Sequence, residues 1–432
     1  MRVVILGGGY TAIWCYRALQ RWTGSSVEVT VVAPTSQHVF HGFTGEVLDG
    51  GLAPALQNSD LERCMPRARR LLGTAVAVDP VRRTVQVEQA GATTELEYDE
   101  LVVATGAQDR TAAVPGLAQH GWSLRHPGQV QLLLDHLSEL ETTPAEDDRD
   151  AARRGTVVVA GAGFAGTEVA AALARRYGGT RRIVLVASGT GVVPAWQQRS
   201  TLQRRLLQNL DEAGVELLTG RRVVSVDEDG VVLDDGARLE AATTVSALGN
   251  SVPGMPGLEA FQEPDGLLRV DDRLRVTEGV WSAGDAAAVR SRGRRAPKEA
   301  LWAIRAGTTV GRNIARAARG AAPRRFGFRG LGTVAAFAPG RAVATIWGVA
   351  LPQPVGWAVR AAVFLWFVPS RRGAVDILRW SLRRRETVLP APVPVAVRAP
   401  RVLVGLDGGR AASSGRRPAV DDRPQPRTAE SA

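Results

Sequence analysis

Twice along this chain a short aliphatic, β-branched run ends in a glycine-rich turn. Val3-Val4-Ile5-Leu6 leads into Gly7-Gly8-Gly9-Tyr10-Thr11-Ala12, and Val157-Val158-Val159-Ala160 into Gly161-Ala162-Gly163-Phe164-Ala165-Gly166. In a strand-turn-helix unit of this kind the first glycine permits the tight turn, the second lets the backbone approach a pyrophosphate, and the third position allows close helix packing. The free N–H groups at the helix start then face the anion. A single copy also describes an ordinary strand-to-helix turn. Two copies in this setting predict an α/β fold with two dinucleotide sites.

The copies depart from the pattern in places. Ala12 stands where the third glycine is expected, adding a methyl group at the helix contact. A carboxylate is also expected at the end of the next strand, to bond a ribose hydroxyl. The strand read at 27–32 ends in Ala33-Pro34, however, and the one at 183–186 in Ala187-Ser188. At the first site Thr35 and Ser36 offer neutral hydrogen bonds instead. At the second, the missing acid removes repulsion against a 2′-phosphate and leaves NADPH open as a donor.

A chain of 432 residues exceeds one core and predicts two or three domains. The net charge of +11 is carried almost wholly by arginine, Lys298 being the only lysine. No aromatic-basic stacking surface accompanies the arginines, so nucleic acid is excluded as a partner and a membrane surface is the better electrostatic match. Cys15 and Cys64 have neither a CxxC nor a metal-ligand spacing, which argues against a redox disulfide and against a metal. Electrons must then be carried by a cofactor. No leader precedes the first strand, and no run reaches the roughly 18–20 apolar residues needed to span a bilayer. The expected location is cytoplasmic.

Residues 37–51 read as a loop and 56–70 as a helix. Alternating segments at 75–78, 84–88 and 93–98 read as a β-meander, followed by a buried strand at 101–104 that ends in Thr105-Gly106. The polar run 141–154 reads as a linker. Beyond the second unit, Gly279-Val280-Trp281-Ser282-Ala283-Gly284-Asp285 is a strand entering a turn, and 297–319 is a long helix. Asp285 either caps N–H groups or meets a cofactor hydroxyl; from the sequence alone, capping is favoured.

The order of Gly7-Gly8-Gly9, His38-Val39-Phe40, Tyr98-Asp99-Glu100-Leu101-Val102-Val103-Ala104-Thr105-Gly106, Val114-Pro115-Gly116-Leu117, the second glycine turn with Glu168, and Gly284-Asp285 resembles the flavin-dependent pyridine-nucleotide oxidoreductases. Type II NADH dehydrogenases are the nearest group within them. The resemblance reaches past the shared flavin core into Gly340-Arg341-Ala342-Val343-Ala344 and a Trp-rich segment, covering roughly 1–385. It implies two Rossmann-like domains, the NAD(P) domain (155–250) inserted in an FAD domain (1–120 and 251–320), with 121–154 as connecting helix and linker. By the same resemblance Gly7, Gly9 and Ala12 hold the FAD pyrophosphate, Thr105 and Gly106 lie near the flavin, and Gly284 and Asp285 bond the ribityl-pyrophosphate portion. Gly161, Gly163 and Gly166 hold NAD(P)H. Glu168 lies near the nicotinamide and flavin as the catalytic residue, unless it is only a first-turn acid stabilised by the helix dipole.

Between Trp347 and Arg385, four of the ten tryptophans mix with the apolar run Ala361-Ala362-Val363-Phe364-Leu365-Trp366-Phe367-Val368 and with Arg360, Arg371, Arg372, Arg379 and Arg383 to Arg385. Residues 321–385 thus read as an amphipathic segment that lies on the inner face of the cell membrane, with arginines on anionic lipid. A homodimer interface or a core helix with a basic face would use the same pattern. The Pro-, Ala- and Arg-rich stretch 386–432 reads as a disordered tail.

A membrane quinone is the natural electron acceptor beside such a platform. The related dehydrogenases usually carry Ala-Gln-x-Ala-x-Gln-Gln-Gly near the quinone, whereas this chain reads Ala300-Leu301-Trp302-Ala303-Ile304-Arg305-Ala306-Gly307. Trp302 and Arg305 either build a different acceptor site or pack a helix. Three readings follow: an FAD-dependent NAD(P)H:quinone oxidoreductase, the same enzyme with a non-quinone acceptor, and a non-catalytic flavin-binding redox sensor. Sulfide:quinone chemistry is disfavoured because it needs cysteines at the flavin.

Overall fold

The structure, a computed structural model, describes residues 1–24 and 26–383. The run Val3 to Leu6 is buried on both faces, as befits a central strand of a parallel sheet, and Arg2–Leu6 is flanked in parallel by Glu28–Ala33 and Glu100–Val103. That sheet has six strands in the order Arg275–Thr277, Val280–Ser282, Glu100–Val103, Arg2–Leu6, Glu28–Ala33, Arg69–Leu72. A second, five-stranded parallel sheet is ordered Gly121–Trp122, Thr243–Ser246, Thr156–Ala160, Arg182–Ala187, Val215–Thr219. Its strands all lie in sequence between those of the first. The expected α/β architecture with two glycine-turn sheets is therefore present.

Two sequence expectations are corrected here. Residues 56–70 are not one helix: Pro54–Gln57 and Leu61–Cys64 are separate short turns, the second capped by Asp60, and Arg69–Leu72 joins the edge of the first sheet beside Glu28–Ala33. The apolar spacing there served a strand partner rather than a helix face. Residues 37–51 are more than a loop, holding the strand Gln37–Val39 and the short helix Thr44–Leu48, which packs on the helix Phe164–Tyr177. The meander is seen at Thr74–Asp79, Thr84–Gln89 and Ala92–Glu97.

The helix after the first turn, Tyr10–Thr23, lies along Ala300–Ala317. Small residues permit that approach. A Cβ on Gly307 would come within 2.5 Å of the Thr11 carbonyl oxygen, and one on Gly311 would fall onto the carbonyl of Cys15. The C-terminal region is a hairpin, Gly332–Ala338 with Arg341–Ile346, followed by helices Gln353–Phe367 and Arg371–Arg383. Gly356 lets the first of these helices close on the hairpin at Ala344. No helix among the described residues is long and apolar enough to cross a membrane. The expected tail, 386–432, lies outside the described residues.

Candidate functional site

Both glycine turns are pinned in the same way. Gly7 has φ +117°, and a Cβ there would fall onto the carbonyl oxygen of Ala104; Gly161 has φ +107° and meets Ala247 likewise. Each also donates its N–H to the strand on its other side, Gly7 to Val32 at 2.7 Å and Gly161 to Val186 at 3.0 Å. Side chains are thereby excluded at the carboxyl edge of each sheet. Gly9 and Gly163 cap the two helices without any side-chain bond, and nothing lies within 4 Å of the position of a Cβ on either. The first N–H groups of both helices thus face open space, a cradle that fits a pyrophosphate.

The third positions differ. A Cβ on Gly166 would strike the carbonyl of Gly161 and sit 3.2 Å from the Cβ of Ala247, whereas Ala12 holds its methyl in complete burial.

Four other expected residues gather at the first turn. Thr105 and Gly106 follow Ala104 directly, Gly106 with φ +73° and open space at its Cβ position. Gly284 has φ +71°, and a Cβ there would collide with the Thr11 hydroxyl, which draws the Gly284-Asp285 turn against the helix start. The Asp285 carboxylate makes no hydrogen bond among the described residues, so the favoured capping role is not what the structure places there. Burial raises its pKa, opposed by the charges of Arg125 and Lys298. It lines a cavity of about 260 Å³ together with Lys298, Glu299 and Trp302.

Arg125 is a residue that sequence reading missed. Asp109 holds it at 2.8 Å and accepts a further bond from Ser123. The Arg125 charge also bears on His41, whose pKa is pushed down to about 4, chiefly by burial. His41 nevertheless keeps exposed surface. His38, by contrast, is buried edge-on to Tyr10 with Nε2 unpartnered, and burial lowers its pKa to about 3. His38 belongs to a segment that carries the family resemblance but is given no role there, and Arg125 sits in a stretch with no periodic signal.

Glu168 lies on the helix Phe164–Tyr177, beyond its first turn, and so is not a dipole-stabilised first-turn acid. Its carboxylate accepts the N–H of Ala336 at 2.7 Å and faces Arg360 Nε at 3.9 Å. Burial raises its pKa to about 7, against the opposing pull of Arg360 and the Ala336 N–H. The side chain keeps 24% of its surface, enough for access by a proton donor or acceptor.

Arg360 was expected at the lipid. It is instead the most enclosed cation of the region, its side chain 2% exposed, paired with Glu46, donating to the Gly42 carbonyl at 2.6 Å and lying 4.6 Å over the Phe364 ring. The signal for this was present: one arginine inside an otherwise apolar run needs a partner if the run is buried.

Trp302 both lines the cavity beside Asp285 and packs, while Arg305 packs on the same aromatic neighbour. Trp302 stands edge-on to Phe328 at 4.8 Å, and Arg305 lies 5.5 Å over the same ring. Cys15 and Cys64 are free and buried, with thiols pushed up by burial to about 12 and about 11.

Comparison with known proteins adds to this geometry. Residues 1–307 match the family model described as pyridine nucleotide-disulphide oxidoreductase. The chain is similar to an NADH dehydrogenase-like protein of Mycobacterium tuberculosis, 31% identical over 315 residues that cover 67% of this chain and 73% of the relative. It is also similar to the type II NADH:quinone oxidoreductase Ndh of the same organism, 26% identical with 88% of this chain and 87% of the relative covered. In fold it matches NDH2 from Plasmodium falciparum, solved in complex with NADH, with a TM-score of 0.80 over 89% of this chain and 98% of that one at 14% identity. On the glycine turns, the two sheets that carry them and these matches, the chain belongs to the pyridine nucleotide-disulphide oxidoreductase family.

Proposed function

We propose that this chain is an FAD-dependent NAD(P)H dehydrogenase that passes electrons to a quinone at a membrane surface. The observation that carries the reading is the pair of pinned, open glycine turns, with Glu168 on the helix that leaves the second. In this reading residues 1–120 and 251–320 form the FAD domain and 155–250 the NAD(P) domain. Gly7, Gly9, Ala12, Thr105, Gly106, Gly284 and Asp285 hold FAD. Gly161, Gly163 and Gly166 hold NAD(P)H. A flavin held by these residues would supply the two-electron chemistry that links a nicotinamide donor to a quinone.

The chain's own residues set position and protonation. Each helix N-terminus steadies a pyrophosphate with its free N–H groups. Glu168, half-protonated near neutral pH, holds a proton and passes it to or from the acceptor. Arg360 orients Glu168 from the C-terminal helix and ties it to Glu46. Surface attachment is supported by the exposure of Trp366 on one C-terminal helix and of Leu378 and Trp380 on the next, which also exposes Arg371, Arg372 and Arg379. The NAD(P)H pool inside the cell favours the inner face. A second copy of the chain is the alternative cover for these side chains.

One observation favours a different acceptor: Leu301, Arg305 and Ala306 stand where glutamines usually line the quinone. Anaerobic stopped-flow absorbance of detergent-supported protein distinguishes the readings. Flavin bleaching by NADH or NADPH followed by reoxidation with quinone is expected. Bleaching without reoxidation moves the assignment to another acceptor, and no bleaching in flavin-loaded protein leaves the non-catalytic reading.

A further inference from the structure

A second cavity, about 590 Å³, is lined by Trp14, Arg17, Arg63, Trp366, Val368 and Arg371 among others and shares no lining residue with the cavity beside Asp285. We infer that it binds the phosphate of an acidic phospholipid headgroup; the inference rests on the membrane reading above.

Three separate elements bring the cations together. Arg17 comes from Tyr10–Thr23, Arg63 from Leu61–Cys64, and Arg371 opens the last helix. Arg17 is fixed in place, donating to the Pro369 carbonyl and lying 4.9 Å over the Trp14 ring. None of the three has a carboxylate within 4.0 Å among the described residues. The nearby acids are engaged elsewhere: Asp60 accepts the N–H of Glu62, and Glu62 faces Arg70 at 3.3 Å. Arg17 is part-buried, and both its burial and the charge of Arg371 act against its proton. Arg17 and Arg371 repel each other across the recess, Arg63 adds a third guanidinium to its lining, and an anion with several acceptor oxygens can accept from all three.

The surroundings select a lipid over a free ion. Trp366, 80% exposed, stands at the rim, and the following helix exposes Val375, Leu378 and Trp380. Apolar surface flanking a cationic recess accommodates acyl chains beside a headgroup, whereas a dissolved anion makes no use of it. A choline headgroup would bring a fourth cation into the recess and is disfavoured.

The test uses the full-length, flavin-loaded protein and monomeric dihexanoylphosphatidylglycerol below its micelle concentration, read by tryptophan fluorescence. Saturable binding is expected, weakened at least about tenfold in the Arg17→Gln, Arg63→Gln, Arg371→Gln triple variant. It is retained in the Arg372→Gln, Arg379→Gln control, whose residues lie outside the recess. Thermal melting establishes that both variants fold; if the triple variant does not, the single Arg63→Gln change replaces it and must weaken binding at least about threefold. Undiminished binding by the triple variant (or by Arg63→Gln where that replaces it), an equal loss in the Arg372→Gln, Arg379→Gln control, equal binding of dihexanoylphosphatidylcholine, or competition by inorganic phosphate at the same concentration overturns the proposal. Vesicles separate the two readings. Loss of vesicle attachment with retained short-chain binding refutes the membrane reading alone, and the reverse result refutes this site alone.

Discussion

The two glycine turns share a backbone and differ in what surrounds it. At the second, the close contact is internal: Gly166 lies against the Gly161 carbonyl with no room for a methyl group. At the first, Ala12 fills that place, and the close contact is moved to the other side of the helix, where Gly307 and Gly311 meet the backbone of Thr11 and Cys15. Gly284 adds a further contact from Thr11. The helix start of the first turn is therefore pressed by distant glycines at 284, 307 and 311, whereas the close contacts of the second are its own backbone and the Ala247 backbone that follows Thr243–Ser246. That contrast suits a cofactor that stays against one that comes and goes.

The largest expected effect tests the contrast directly. Gly166→Ala places a methyl group against backbone that cannot move aside and should cost about 3 kcal/mol, seen as a fall in Tm, with flavin retained but reduction by NAD(P)H slowed. Ala12→Gly should change stability by less than about 1 kcal/mol. Equal costs at the two positions would abolish the distinction.

Arg360 joins the regions, and its loss should come next. Arg360→Met leaves Glu46 and Glu168 facing each other without a cation and should cost about 2 kcal/mol, less than a fully buried pair because Glu46 keeps 30% of its surface. Chemical denaturation measures it. An unchanged midpoint would mean that the C-terminal helix is not held through this contact.

How far the sequence revealed these arrangements depends on the range of the forces involved. The turns were legible because the glycine requirement is local: positive φ at Gly7 and Gly161 is written in a few consecutive residues. The alternating meander was legible for the same reason. Residues 56–70 misled because Arg69–Leu72 is a strand only by virtue of its pairing with Glu28–Ala33. Arg360 misled more deeply, since its carboxylate partner is 314 residues away and only the fold brings them together. Asp285 lay between these cases, its turn readable but its lack of a capping bond not.

Glu168 offers a smaller, pH-dependent test on the second turn's helix. Its raised pKa means the folded state keeps the proton to higher pH than the unfolded chain does. The contribution to stability is thus complete below pH 4.5 and lost as pH rises through about 7. In Glu168→Gln an ionisation near pH 7 should vanish from the kcat profile, with kcat lower by about tenfold. Persistence of that ionisation would assign it to another group, Glu299 being the first to examine because burial raises its pKa to about 7 as well.

The smallest expected effect concerns the acids that both turns lack. Ala33 and Ala187 are the last residues of equivalent strands, and both are almost fully buried. Ala187 stands beside Thr219 in parallel register, and its carbonyl accepts the backbone N–H of Arg221 at 3.1 Å. An acid introduced there would accept a ribose hydroxyl and repel a 2′-phosphate. Ala187→Glu should therefore raise the ratio of kcat/KM for NADH over NADPH by about fivefold, or roughly 1 kcal/mol. Ala33→Glu should leave that ratio alone and slow the loss of FAD on dilution. If each change acted on the other quantity, the assignment of donor and resident cofactor to the two turns would be reversed. If neither moved its own, the ribose does not lie at the strand ends, and the missing acids carry no information about which nucleotide each turn prefers.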